Sequence, residues 1–190
     1  GYPIGPFSVS DLSGLDISYD TRKRRAAADP NFRKLPIPDR LVEMGRKGQK
    51  TGAGWYRYEK GDRTPIPDEV VKSVIADVAR EFGIPQREFT DDEILKRLLF
   101  GSVNEACKIL EEGKAYRASD IDVMWLHGFG FPRYRGGLMF WADGIGVKEV
   151  YRQICEWHER YGKRWKPAEL LKELAEAGTP LREAKPKIAL

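Results

Sequence analysis

The 190-residue sequence has little of the material that several common functional sites require. It contains only two cysteines and two histidines, and His127 and His158 lie far apart along the chain. A histidine-based zinc site or a Ser-His-Asp triad therefore has few residues to draw on. Cys107 and Cys155 belong to no motif, which favours a reducing compartment over a disulfide framework. No G-x-G-x-x-G follows a strand, so the dinucleotide-binding fingerprint is missing.

Long apolar runs are also missing. No stretch approaches the 18 apolar residues that a membrane-spanning helix needs, and residues 1–6 do not form a signal peptide. The chain has no initiator Met, so we expect it to be a piece of a longer protein.

The composition is that of a folded protein with a charged surface. Hydrophobic residues make up 41% and charged residues 33%, with five Trp, eight Tyr and eight Phe, which is too apolar and aromatic for disorder. Lys+Arg number 33 against 29 Asp+Glu, a net charge of +4. The densest basic stretch is Arg22–Arg25, which fits either a solvated face or a phosphate-bearing ligand.

The apolar spacing predicts a mainly helical chain. Thr90 and Glu93 form a capping box ahead of a helix over 91–112, and Ser119 is predicted to cap a second helix that ends near His127. Further helices are predicted from residue 65 to Gly83, over 146–161 and over 167–177. Only residues 54–58 show the alternation of an extended segment.

An internal repeat divides the sequence. Gly1-Tyr2-Pro3 recurs as Gly130-Phe131-Pro132, and Asp11-Leu12-Ser13-Gly14 recurs as Asp143-Gly144-Ile145-Gly146. Gly5 and Phe7 have counterparts in Gly136 or Gly137 and in Leu138 or Phe140. The second copy follows two predicted helices, whereas the first copy begins without them. Either another element completes the first copy or the chain begins inside a domain, and we favour the second interpretation.

Three motifs then resemble a known family. They are Gly1-Tyr2-Pro3-Ile4-Gly5-Pro6-Phe7 with Asp11 and Gly14-Leu15-Asp16, the loop over 46–56 containing Lys50-Thr51-Gly52, and residues 118–137. In this order they resemble the C-terminal domain of 3-hydroxyacyl-CoA dehydrogenases, in the tandem form found in enzymes that fuse enoyl-CoA hydratase to the dehydrogenase. The resemblance covers essentially the whole chain.

The resemblance implies a fold class and a domain plan. We expect a mainly α protein with two repeated helical domains that resemble the 6-phosphogluconate dehydrogenase C-terminal-like fold. The first copy, truncated at its N-terminus, would span 1–64, a connecting helix and linker 65–89, and the second copy 90–190.

The resemblance also implies a role in fatty-acid β-oxidation. The full enzyme would hydrate 2-enoyl-CoA and oxidise L-3-hydroxyacyl-CoA to 3-ketoacyl-CoA with NAD. In this family the catalytic His and Glu lie on a Rossmann domain, and a supporting Asn lies on the helix that opens the first copy. The equivalent stretch of the second copy, Leu95-Lys96-Arg97, has no Asn. We therefore assign no catalytic, cofactor-binding or metal residue and expect this chain alone to be inactive.

Two segments are predicted to contact the acyl-CoA substrate. The Gly-Pro turn is suited to a wall of the acyl pocket, because Gly5 permits close approach of the backbone and Pro6 fixes the turn. The loop at Lys50 offers backbone N–H groups and an ammonium to phosphate. Each segment has a purely structural alternative, a turn joining helices and a tight loop. The predicted substrate-binding residues are Pro3, Gly5, Pro6, Phe7, Lys50, Thr51 and Gly52.

The expected partners are the acyl-CoA, the protein's own N-terminal Rossmann and hydratase domains, and a thiolase. Nucleic acid and a membrane span are not expected. Residues 187–190 are not a Ser-Lys-Leu address, so the bacterial cytoplasm is predicted. The alternative function is a stand-alone helical interaction module that binds a partner on the face left open in the first copy. Nucleic-acid binding is disfavoured because basic and acidic residues are interleaved.

Overall fold

Helices form almost all the regular structure in the computed structural model, which describes residues 4–32 and 34–186. Within that part of the chain the only β-structure is three isolated bridges, at Gly48–Ala53, Ala53–Arg57 and Arg57–Ile66. The prediction of a mainly α fold is confirmed. The chain divides into two units, residues 4–88 and 89–190. No helix of the described residues has both the length and the apolar character that crossing a bilayer requires.

The first unit contains four helices in its described part, α1 (Pro6–Ser13), α2 (Leu15–Ala28), α3 (Pro36–Glu43) and α4 (Glu69–Glu81). Its core consists of apolar side chains from α2, α3 and α4, namely Leu15, Leu41, Val42, Val71, Val74 and Val78. Asp68 caps α4 by accepting the Val70 N–H at 3.0 Å. The helix predicted to connect the copies thus packs into the core of the first unit. The predicted domain limits themselves stay a prediction.

The second unit contains α5 (Asp91–Glu111), α6 (Ala118–Gly128), α7 (Leu138–Ile145), α8 (Val147–Tyr161) and α9 (Glu169–Ala177). Its core is larger and includes the fully buried Phe100, Leu110, Leu138, Met139, Ile154 and Leu171. The predicted cap of α5 is present, since the Thr90 hydroxyl accepts the Glu93 N–H at 3.2 Å. The predicted cap at Ser119 is wrong, because α6 begins at Ala118 and Ser119 lies inside the helix.

The internal repeat is visible in the backbone. Helices α1 and α7 have eight residues each and are N-capped by Gly5 and Gly137. Each is followed by one glycine and a longer helix, and the two glycines have almost the same backbone angles: φ 100°, ψ 120° at Gly14 and φ 106°, ψ 126° at Gly146. Both angle pairs favour glycine. The helix pair α1–α2 therefore corresponds to α7–α8, with equivalent residues 132 positions apart.

Candidate functional site

The predicted acyl-pocket turn forms the start of α1. Gly5 is the N-cap and Pro6 follows in the first turn, where its missing N–H costs no helical hydrogen bond. The Phe7 ring packs against Trp55 with ring centres 4.6 Å apart, yet Phe7 stays half exposed. Pro3 lies outside the described residues. The structure therefore presents one apolar ring, Phe7, at this turn.

A buried carboxylate joins this turn to the second predicted segment, the loop at Lys50. It was not among the predicted substrate-binding residues. Asp11, on α1, accepts the N–H groups of Trp55 at 2.8 Å and Tyr56 at 3.0 Å and the hydroxyl of Tyr58 at 2.8 Å. Burial and the Asp11 carboxylate raise the pKa of Tyr58 to about 12. A Cβ at Gly54 would overlap the Asp11 carboxylate. Only a glycine at position 54 therefore lets the loop come close enough to form these three hydrogen bonds, which we call the Asp11 clasp.

The hydrogen bonds of the loop itself are mostly internal. The Thr51 hydroxyl accepts the Lys47 N–H at 2.9 Å and lies 3.1 Å from the Gly48 carbonyl. The Thr51 N–H donates to the Gly48 carbonyl, and the Gly52 N–H donates to the Gln49 carbonyl, both at 3.0 Å. These two amides already have acceptors, so they are poorly placed to bind a phosphate.

The Lys50 side chain lies at the surface of this loop. Its ammonium lies 2.6 Å from the Asp16 carboxylate on α2, and its side chain is 50% exposed. The hydrogen bond from Lys50 holds the pKa of Asp16 below its usual range, although burial acts in the opposite direction. Beside the loop is an open cavity of about 590 Å³, lined by Gln49, Lys50, Gly52, Tyr58, Glu59, Lys60, Gly61, Asp62 and Arg63.

Leu95-Lys96-Arg97 on α5 is the stretch equivalent to the one that carries the supporting Asn in this family. Its two charged side chains make contacts within the second unit. Lys96 forms an ion pair with Asp92 at 2.7 Å. The Arg97 guanidinium lies 4.3 Å from the ring centre of Tyr161 and 5.2 Å from that of Trp157, which is cation–π geometry. Lys96 and Arg97 thus serve packing within the second unit.

Asn104, further along α5, is also structural. Its amide donates to the Lys166 carbonyl at 2.9 Å and accepts the Ala168 N–H at 2.8 Å, so it holds the start of α9. Among the described residues, no group of three or more His, Cys, Asp and Glu is arranged to hold a metal ion.

The described residues do not fit an NAD site. A dinucleotide pyrophosphate is bound where a β-strand leads through a glycine-rich turn into a helix N-terminus. Residues 4–32 and 34–186 contain isolated bridges but no strand that could begin such a unit.

In the second unit, two carboxylates hold the segments around α7. Asp143, the counterpart of Asp11, accepts the N–H groups of Leu181 at 2.5 Å and Arg182 at 3.0 Å. Asp122, on α6, accepts those of Met139 at 2.6 Å and Phe140 at 3.3 Å, and so caps α7. Burial raises the pKa of Asp122 above its usual range, against the effect of these two hydrogen bonds. The internal repeat could have identified Asp143 as the counterpart of Asp11, but no local sequence pattern indicates that Asp122 caps α7.

Fold and site together define a mainly α protein with an internal repeat. A buried aspartate accepts backbone N–H groups in each unit, Asp11 in the first and Asp122 in the second. The sequence model of the 3-hydroxyacyl-CoA dehydrogenase C-terminal domain matches residues 1–58 and 94–189. The chain belongs to this family, as the resemblance predicted.

Similar proteins extend well beyond this chain. It is 39% identical to the human peroxisomal bifunctional enzyme over 95% of its own length and 27% of the relative. It is also 39% identical to the peroxisomal fatty acid beta-oxidation multifunctional protein of Oryza sativa subsp. japonica, over 95% and 26%. The chain thus spans about a quarter of the length of these relatives.

A solved structure supports the same fold. The crystal structure of the dehydrogenase part of multifunctional enzyme 1 from C. elegans matches with a TM-score of 0.68 and 26% sequence identity. The match covers 91% of this chain and 39% of the C. elegans chain.

The prediction of a bacterial cytoplasmic location is wrong. The relatives are eukaryotic proteins named as peroxisomal, in animals as in plants. The prediction depended only on the absence of a C-terminal Ser-Lys-Leu targeting signal. Such a short receptor-recognised signal carries no information about the family to which a protein belongs.

Proposed function

We propose that this chain is the helical C-terminal part of a fatty-acid β-oxidation enzyme that oxidises L-3-hydroxyacyl-CoA to 3-ketoacyl-CoA and, in its full length, hydrates 2-enoyl-CoA. The observation that carries the proposal is the match to the dehydrogenase C-terminal domain at two segments that together cover most of the chain. Relatives named as bifunctional or β-oxidation proteins support it.

In this proposal the chain encloses the substrate and packs against the other domains. Phe7, supported by Trp55, offers an apolar surface to the acyl chain at the Gly5–Pro6 turn. Lys50 offers a positive charge to a phosphate of CoA, in competition with Asp16. Thr51 and Gly52 shape the loop that presents Lys50, since their amides are bonded within it.

The hydride and proton transfers are assigned to residues outside this chain. NAD, when bound, supplies the hydride acceptor, and a Rossmann domain of the full enzyme would hold it, since the described residues do not fit it. Association with a thiolase stays a prediction.

A fused enzyme tests the proposal. The chain alone is expected to show no NADH oxidation with acetoacetyl-CoA. Put in place of the matched segment of the dehydrogenase part of the C. elegans enzyme, it is expected to restore turnover. Turnover by the chain alone, or a folded but inactive fusion, would contradict the proposal.

Two variants of the fusion separate substrate contact from stability. Phe7→Ala should raise KM for acetoacetyl-CoA several-fold with little change in kcat, because a contact made equally in ground and transition states affects binding only. Ile17→Ala is the matched control, since Ile17 is a more exposed apolar side chain on the neighbouring helix α2. Equal effects of the two substitutions on KM would remove Phe7 from the substrate site.

A further inference from the structure

The second unit contains an apolar cavity that the proposed function does not use. The cavity has a volume of about 280 Å³ and lies between α5 and the segment that leads from α6 into α7. Its buried residues are Leu99, Phe131 and Trp141, each less than 10% exposed. Leu95 and Leu98, on α5, also line the cavity and are 42% and 56% exposed. The site is therefore a concave apolar surface that is open to solvent.

One of the lining residues carries a charge. Arg135 is exposed and lines the cavity, whereas the nine described lining residues include no Asp or Glu. The Arg135 Nε lies 3.4 Å from the Tyr134 hydroxyl, and the guanidinium carbon lies 5.3 Å from the centre of the Tyr134 ring. Among the described residues, no carboxylate forms an ion pair with Arg135. A guanidinium matches a carboxylate in both geometry and charge, so the cavity combines apolar walls with a cation that can accept one.

We propose that this cavity binds a medium-chain aliphatic carboxylate, with the tail on the apolar residues and the carboxylate paired with Arg135. Small-molecule sites typically have apolar walls and a few polar groups that fix the orientation of the ligand, which is the arrangement found here. The volume of about 280 Å³ is just below the usual range of roughly 300–1,000 Å³, which favours a medium chain over a long one. The inference is independent of the proposed function, since the site uses no predicted substrate-binding residue.

The size of the site favours a small ligand over a second protein chain. Nine described residues line the cavity, whereas a stable protein interface uses roughly 20–30 residues on each side. A second copy of this chain is the alternative occupant that the experiment has to exclude.

Calorimetric titration of the 190-residue chain with butyrate, hexanoate, octanoate and decanoate tests the site. Octanoate is expected to bind once per chain, with a negative heat-capacity change because apolar surface is buried. Each pair of added methylene groups should tighten binding roughly tenfold while the tail still fits the cavity. No binding of octanoate to the folded chain overturns the proposal.

A pair of glutamine variants tests the carboxylate contact. Arg135→Gln should weaken the binding of octanoate several-fold and leave the binding of octanol, the uncharged analogue, unchanged. Arg133→Gln is the matched control, because Arg133 is an exposed arginine of the same short turn that does not line the cavity. Equal effects of the two substitutions on octanoate overturn the pairing with Arg135, and so does an equal effect of Arg135→Gln on octanoate and octanol.

A pair of glutamate variants tests the apolar wall. Leu98→Glu should abolish octanoate binding, because it removes apolar surface and adds a charge of the same sign as that of the ligand. Val123→Glu is the matched control and should bind as the parent does, since Val123 lies on α6 outside the cavity and is 55% exposed, close to the 56% of Leu98. Far-UV circular dichroism checks that both variants are folded. Equal losses of affinity in the two variants overturn the site.

Sedimentation of the same samples distinguishes the ligand from a second copy of the chain. The proposal expects the parent and Leu98→Glu to have the same mass at the concentrations used for the titrations. A dimer that Leu98→Glu dissociates would assign the cavity to contact between copies and would overturn the proposal.

Discussion

Gly5 and Gly137 occupy equivalent positions of the repeat, but their structural requirements for glycine differ. Gly137 has φ 109°, and a Cβ there would overlap Asp122. Gly5 has φ −73° and open space around it. Gly137→Ala should therefore lower the free energy of unfolding by about 1–3 kcal/mol or more, and Gly5→Ala by less than about 1 kcal/mol. Urea unfolding of both variants checks this, and equal losses would contradict it.

Asp122 gives the second unit a predictable pH dependence. Because burial raises its folded-state pKa above the unfolded value of 3.8, the folded chain holds the proton more tightly than the unfolded chain. This contribution is fully present below the unfolded pKa and is lost as pH rises through the folded pKa. Asp122→Asn cannot titrate, so its free energy of unfolding should improve relative to that of the parent as the pH rises above the unfolded pKa of 3.8. Urea titrations below and above this pH would contradict the assignment if the difference stayed constant.

Residue roles were predictable only where they act within one element. The Thr90 cap was predicted because donor and acceptor lie three residues apart on one chain segment. Asp122 lies near the start of its own helix α6, yet its carboxylate accepts the N–H of Met139 in α7, seventeen residues further on. Such a role depends on tertiary packing, and helical spacing carries no information about it.

At the scale of elements, the Asp11 clasp fixes the loop over 48–58 to α1. Asp11→Ala would leave the Trp55 and Tyr56 N–H groups and the Tyr58 hydroxyl without their acceptor. Each unpaired buried group costs about 1–3 kcal/mol, so the first unit should lose roughly 3 kcal/mol or more. Tyr58→Phe removes one donor and should cost about 1 kcal/mol.

The Trp55 fluorescence during urea unfolding reports both variants. The pKa of Tyr58, about 12 in the parent, should fall in Asp11→Ala, because the negative charge beside the hydroxyl is removed. A Tyr58 titration unaffected by that substitution would contradict the clasp.

Element prediction succeeded where helices are long and amphipathic. The periodic apolar residues of α5, α8 and α9 were sufficient to place these helices within a few residues of their observed ends. Helices α1 and α7 have only eight residues, about two turns, which is too short for a periodic signal. The glycine motif of the Lys50 loop predicted a ligand site. The same glycines and amides are also needed for the close packing around Asp11, and the sequence alone does not distinguish a ligand-binding loop from a structural one.

The whole molecule has two cores of very different size. The first unit's core cluster has six buried apolar side chains, and the second unit's has 26 in the described part of the chain. Stability follows buried apolar area, so the first unit should unfold at the lower urea concentration. Trp55 is the one tryptophan of the first unit, whereas the other four lie in the second. Two fluorescence transitions are therefore expected, and Trp55→Phe should remove the first.

Substitutions in each unit show whether the transitions are assigned correctly. Asp11→Ala should lower only the first transition and Gly137→Ala only the second, because neither residue contributes to the other core. A single transition that shifts with both substitutions would mean that the two units unfold as one cooperative body, which would contradict the assignment of one transition to each core.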